Sequence, residues 1–254
     1  TIENGTFTQN RFIAIKVDFG TLHFKGGTIN CSDSYAIENW KSANIKGGTI
    51  NGTVATWVYS TGIATSQLAI SDGTVNGNVY AVNYDNAADK TAKVLITGGT
   101  ITGELGLRGY NNGLVPIADE STALIDVTGG TFTKDPTAYL GAGAYISSTE
   151  GNKYEVAKSY VAKIGDKGYY TMDEAFHAVT EGQTITMQRD YTTNTIQNSG
   201  PKSFTIDLDN HTWTCTGKDS DSGAFEINYS DVTLTVKNGK VVSNQLIGLI
   251  PSAM

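Results

Sequence analysis

The chain has 254 residues, a formal net charge of −7 and only 17% charged residues. That balance excludes a nucleic-acid binder, which needs a basic stripe, and no apolar run reaches the roughly 18 residues of a membrane-crossing helix. Glycine is abundant, at 29 residues, and proline rare, at 4, which suits many short strands joined by tight turns better than long helices.

From the first residues onward a glycine turn followed by threonine and an apolar residue recurs. The six copies are Asn4-Gly5-Thr6-Phe7, Gly26-Gly27-Thr28-Ile29, Gly47-Gly48-Thr49-Ile50, Asp72-Gly73-Thr74-Val75, Gly98-Gly99-Thr100-Ile101 and Gly129-Gly130-Thr131-Phe132. Successive threonines are 22, 21, 25, 26 and 31 residues apart, a period that signals a solenoid. Before each turn the apolar residues alternate, as in Leu22 and Phe24, Ala43 and Ile45, Leu68 and Ile70, Val94 and Ile96, Ile125 and Val127. This is the pattern of a strand with one buried face. A third strand follows each turn, at Ala14–Val17, Tyr35–Glu38, Thr56–Tyr59, Val79–Val82 and Glu104–Leu107. Three short strands per period make one rung of a parallel β-helix, right-handed because β-crossover-β connections nearly always are. An antiparallel sandwich also has short strands and glycine turns, but it would not repeat one turn chemistry in one phase six times.

The pattern breaks at Lys134-Asp135-Pro136, since proline cannot donate to a strand ladder. Residues 134–168 read as an irregular linker with short strands. Thr171 precedes Glu174 at capping-box spacing, and Met172, Ala175, Phe176 and Val179 fall at helical spacing, so a short capping helix is expected at about 171–180. Strands resume at Thr184–Met187, Phe204–Leu208, Ala224–Ile227 and Val232–Val236, the last leading into a seventh turn at Asn238-Gly239. The expected fold is therefore all-β: a right-handed parallel β-helix over residues 1–133, the linker, and over 169–254 the helix and the start of a second β-helix. Both ends fall inside repeats, so the chain reads as a piece of a longer one. Cys31 and Cys215 are too few for a disulfide framework and read as thiols packed in or beside the core.

Two stretches resemble known proteins. Gly129–Pro136 with Tyr139-Leu140 resembles a repeat terminus in large secreted surface proteins of gut bacteria. Thr171–Phe176, with Gly182 and Thr184–Thr186, is similar to the amphipathic cap that opens right-handed β-helix domains, and Phe204–Thr212 is similar to an early rung of such domains. The resemblance implies extracellular placement, in a family that includes both adhesin-like stalks and polysaccharide lyases or hydrolases.

Two sets of residues carry candidate chemistry. Asp207, Asp209 and His211 fall on alternate positions opposite Ile206 and Leu208, which would place them on one face, and paired carboxylates are the machinery of glycoside hydrolysis. No partner motif accompanies them, and plain solvated side chains are the competing reading. Arg108 with Glu104 reads as an exposed ion pair, and the acidic loops Asp85 to Asp89 and Asp219 to Asp221 lack any known calcium-loop spacing. No metal or cofactor is expected. The third strands carry aromatics, among them Trp40, Trp57, Tyr59, Tyr84 and Tyr110. Stacked rungs would line these into a stripe suited to sugar rings, unless the rings simply stack on one another to cover the sheet. The reading is a non-enzymatic extracellular module, a stalk or glycan-contacting scaffold with glycans or cell-surface components as partners. The alternative is a carbohydrate-active β-helix enzyme or a fragment of one.

Overall fold

The computed structural model describes residues 1–110, 113–117, 122–193, 197–198, 200–216, 225–226 and 229–243. The chain divides into two compact units, Thr1–Lys158 and Ser159–Met254. Both are stacks of parallel strands, so the protein is a β-solenoid, with one α-helix among the described residues. None of its described helices is long and apolar enough to cross a membrane.

In the first unit the six glycine turns stack in register. Thr6 pairs with Thr28, Thr28 with Thr49, Thr49 with Thr74, Thr74 with Thr100 and Thr100 with Thr131. One position further on, Ile29, Ile50, Val75, Ile101 and Phe132 form an inward column, each at most 1% exposed. Phe24, Ile45, Ile70, Ile96 and Val127 form a second such column from the strands before the turn. A single coil cannot bury these residues, so each coil is stabilised by its neighbours. Beside the turns, asparagines stack as well. Asn51 Nδ2 donates to Asn30 Oδ1 at 2.7 Å and Asn76 Nδ2 donates to Asn51 Oδ1 at 2.8 Å.

The third strands are Ile15–Val17, the end of Thr28–Asn39, the end of Ser42–Val58, Val79–Asn83 and Leu105–Tyr110. Ile15, Ile37, Val54, Val79 and Leu105 are in register and pack against the core. Asn39 and Thr56 turn inward too. They are satisfied at the corner, where Asn39 Nδ2 donates to Thr56 Oγ1 at 2.8 Å and to the Gln67 carbonyl at 3.0 Å.

The stretch 134–168 between the two runs of repeats falls in both units. Ala144–Ser148 and Tyr154–Lys158 form an antiparallel hairpin, and the latter strand pairs antiparallel with Ala123–Phe132. The hairpin thus occupies the backbone edge that the last turn of the repeat would leave bare. Ala162–Ile164 and Lys167–Tyr169 form a second hairpin, joined antiparallel to Thr184–Met187 in the second unit.

That unit is a shorter coil. Thr184–Met187, Phe204–Asp207 and Leu234–Lys237 stack in parallel, as do Tyr191–Thr193, Thr212–Cys215 and Lys240–Ser243. The helix α1 spans Met172–Ala178 with Thr171 as N-cap, and the capping box with Glu174 is formed in both directions. It is a turn shorter than the sequence spacing implies because Val179 is already extended. Its carbonyls at Phe176 and Val179 accept from Lys202 Nζ at 2.8 and 2.9 Å. Met172, Ala175 and Phe176 are buried in the core with Ile185, Phe204, Ile206 and Trp213. Cys31 and Cys215 are both buried free thiols.

Candidate functional site: an aromatic groove at the ends of the third strands

The alternation that points Ile37, Val54 and Val79 inward points their neighbours outward. In register, the outward residues run Lys16, Glu38, Ala55, Tyr80 and Gly106 in one column. Trp57, Val82 and Arg108 run in the next. Ala55, Trp57 and Val82 are nevertheless buried, in a second apolar cluster packed by Tyr35, Trp40, Tyr80 and Leu114. The strand segments at Ala55–Trp57 and Val82 are therefore covered on both sides, by the core within and by an aromatic layer without.

The five aromatics expected to form a stripe make one connected set. Trp40 stacks on Trp57 with ring centroids 5.4 Å apart, and Tyr59 meets Trp40 edge-on at 5.2 Å. Trp57 touches Tyr84 at 6.3 Å, and Tyr84 stacks on Tyr110 at 4.6 Å. Their exposure divides them. Trp57 is 5% exposed and serves as a floor, whereas Tyr59, Tyr84 and Tyr110 are 39%, 40% and 42% exposed. Both earlier readings of the stripe thus apply to different rings: some brace the sheet and others face solvent.

Trp40, Tyr59 and Tyr84 line a groove of about 630 Å³ together with Lys16, Asp18, Phe19, Thr61, Gly62 and Ile63. That volume lies in the ~300–1,000 Å³ range of small-molecule sites. Phe19 is 90% exposed. The wall at 60–63 is held in place by Asp85, whose carboxylate accepts from the Ser60 backbone N–H and hydroxyl. The Ser60 hydroxyl bond is the main cause holding the Asp85 carboxyl below its usual range. Gly62 lies against the Tyr59 ring, and a Cβ there would come within 2.7 Å of it.

Glu38 lies beneath the groove. It is 9% exposed, and its carboxylate accepts from the Trp40 indole N–H at 2.7 Å. Register sets Lys16 directly opposite it, with Lys16 Nζ 3.9 Å from Glu38 and 3.1 Å from Asp18. Burial, with the Glu38 carboxylate adding to it, pushes the Tyr35 hydroxyl up to about 12.

The sequence pattern singled out Trp40, Tyr59 and Tyr84 of this groove but not Phe19, Asp18, Glu38 or residues 61–63. For Glu38 a signal existed, since it stands two residues before Trp40, which lies just past the end of its strand. For Phe19 and residues 61–63 none did, because the fold of a loop is not set by period-two alternation.

The other candidate set is not one site. Leu208 ends the alternation: Asp209 and Asn210 are left-handed, at φ 44° and 66°, and the His211 N–H closes a tight turn onto the Leu208 carbonyl at 2.7 Å. Asp and Asn tolerate this region better than other non-glycine residues. Asp209 is therefore not on the strand face of Asp207. The Asp207 carboxylate accepts from the Asp209 N–H and from Asn238 Nδ2, both at 3.1 Å, and lies 3.4 Å from Lys237 Nζ. These bonds, the Asp209 N–H first, hold it below the usual carboxylate range. His211 Nδ1 lies 3.4 Å from Asp190 instead. The partners of Asp207 tie two neighbouring coils together. A depressed folded-state pKa contributes stability that is present above the ordinary value of about 3.9 and is lost as pH falls through the lowered value. Asp207→Asn is accordingly expected to be less stable than the parent at pH 7. The difference should shrink on acidification below about pH 4, as read by urea melts at several pH values.

Arg108 extends over the Tyr80 ring at 4.7 Å and lies 3.9 Å from Glu104, so it is engaged by a ring as well as by the expected carboxylate. In the loop 85–89, Asp85 binds Ser60 as above, and Asp89 pairs with Lys90 at 2.9 Å. Asp219 to Asp221 lie outside the described residues. Among the described residues, no three His, Cys, Asp or Glu side chains gather as a metal site. No family model matches the chain, and no curated protein and no solved structure is detectably similar to it.

Proposed function

We propose that the protein is a non-enzymatic, extracellular β-helical scaffold that contacts glycans through the groove at Trp40, Tyr59 and Tyr84. The observation that carries this reading is the pairing of aromatic walls with charged and polar side chains in one cavity of sugar size. Three rings and Phe19 surround about 630 Å³, with Lys16, Asp18 and Thr61 at the same rim. Sugar rings present apolar C–H faces that pack on aromatics and hydroxyls that bond to charged and polar side chains. Trp40 suits the first role in particular. Its N–H is already taken by Glu38, so its ring is fixed in orientation before a ligand arrives, which lowers the ordering cost of binding. The regular stack supplies a stiff support, and the resemblance to secreted surface proteins agrees with such a role.

A glycan array probed with the whole chain is the test. At least one saccharide class should bind, and Trp40→Ala should weaken that binding at least about tenfold, or about 1.4 kcal/mol. Tyr110→Ala, outside the groove lining, should weaken it much less. An array with no saccharide bound, or binding untouched by Trp40→Ala, sinks the proposal.

A further inference from the structure

Resting on that reading, the geometry points to a charge rule for the groove: it takes neutral sugars and rejects those carrying a carboxylate or sulfate. The rule follows from the charges under and beside the rings. Lys16 is the one cation among the residues that line the groove, and its ammonium is held by Asp18 at 3.1 Å with Glu38 at 3.9 Å. Two carboxylates thus face one ammonium, so the local sum is one negative charge. Glu38 is 9% exposed, screened from water by the aromatic layer, and a sheltered charge acts over a longer range than a solvated one. An anionic sugar stacked on Trp40 would sit over the ring whose N–H that carboxylate holds. It could gain Lys16 only by drawing it from carboxylates already in contact, and like charges set side by side disfavour the wrong partner.

A neutral pyranose meets the same groups on better terms. Its hydroxyls donate to the exposed Asp18 carboxylate and accept from Lys16 without moving either charge. The Trp40 indole contributes its face alone, because its donor is occupied, so the ring selects for an apolar C–H surface and reads no hydroxyl. Charge therefore excludes anionic sugars, and stacking retains neutral ones.

The test uses the whole chain and matched trisaccharides of glucose, galactose and mannose, each beside its C6-oxidised uronate form, by isothermal titration calorimetry. The neutral form should bind at least about tenfold tighter than the uronate. That ratio should fall as salt rises from about 0.02 to 0.5 M, because screening weakens the repulsion. Glu38→Gln removes the buried charge yet keeps an oxygen for the Trp40 N–H, and it should bring the ratio below about threefold. Asp18→Asn should move the ratio the same way. Uronates that bind as tightly as neutral sugars overturn the charge rule and leave the groove reading standing, as does a ratio unmoved by salt and by both variants. Absence of binding by every trisaccharide, neutral and uronate, overturns the charge rule, and the groove reading falls with it when the array also retains no saccharide.

Discussion

Gly48→Ala is expected to destabilise the protein by roughly 2–5 kcal/mol, while Gly5→Ala costs about 1 kcal/mol, although both change the first-half turn at the residue before threonine. Both glycines are left-handed, at φ +77° and +100°, so both substitutions carry the strain of a side chain in that region. They differ in what lies next to them. A Cβ on Gly48 would come within 2.7 Å of the Gly27 carbonyl oxygen and 2.8 Å of the Phe24 ring, whereas one on Gly5 meets nothing within 4 Å. The Gly27 oxygen is backbone, and it accepts the Thr49 N–H at 2.9 Å, so relief requires two coils to move apart. Phe24 is fully buried and has no other place to go. Urea melts of the two variants measure the difference directly. Equal costs would mean that the turn needs glycine for its dihedral angles alone and that the coils are not closely stacked there.

The same turn shows what was legible in the sequence and what was not. Its spacing revealed the solenoid, and alternation on either side assigned inward and outward residues, because both follow from local steric rules with fixed periods. That reasoning lined Trp40, Trp57, Tyr59, Tyr84 and Tyr110 into a stripe, and ring contacts at and just past the strand ends connect them. Alternation cannot say that Trp57 would be 5% exposed and Tyr59 39%, since that depends on which loops fold over the face. It also fails where a turn interrupts it. Asp209 looks like a strand position beside Asp207 until the left-handed pair Asp209-Asn210 is seen. The shorter turn at Asn238-Gly239, where Asn238 alone is left-handed at φ 58°, stacks upon it through the Asn210 N–H to the Asn238 carbonyl at 2.6 Å. The strands that close the first unit read as short strands of a linker, and their pairing onto the coil was not legible, for another reason. Ala144–Ser148 and Tyr154–Lys158 pair antiparallel, so they obey the strand rules but not the period of the repeat.

The second large effect is expected at Phe176, where substitution by alanine should cost about 3–5 kcal/mol. The helix α1 has only seven residues, too few to be stable by itself in water. It is held by its capping box, by Lys202 on its last carbonyls and by the side chains it buries. Of these, Phe176 is the largest: it is 2% exposed and meets Phe204 edge-on at 5.3 Å and Trp213 at 5.9 Å. Trp213 is fully buried and Phe204 is 3% exposed, so the space left by a truncated Phe176 is walled by large rings that cannot collapse into it, and the cavity term applies in full. Phe176→Leu refills most of that volume and should recover more than half of the loss. His177→Ala, one residue along and facing solvent, should stay within about 0.5 kcal/mol of the parent. Trp213 is the one tryptophan among the described residues of this unit, which makes its fluorescence the readout of choice. In the alanine variant its transition should move to lower denaturant than in the leucine variant. If alanine and leucine at 176 prove equally costly, edge-on ring contact rather than filled volume holds the helix to the coil.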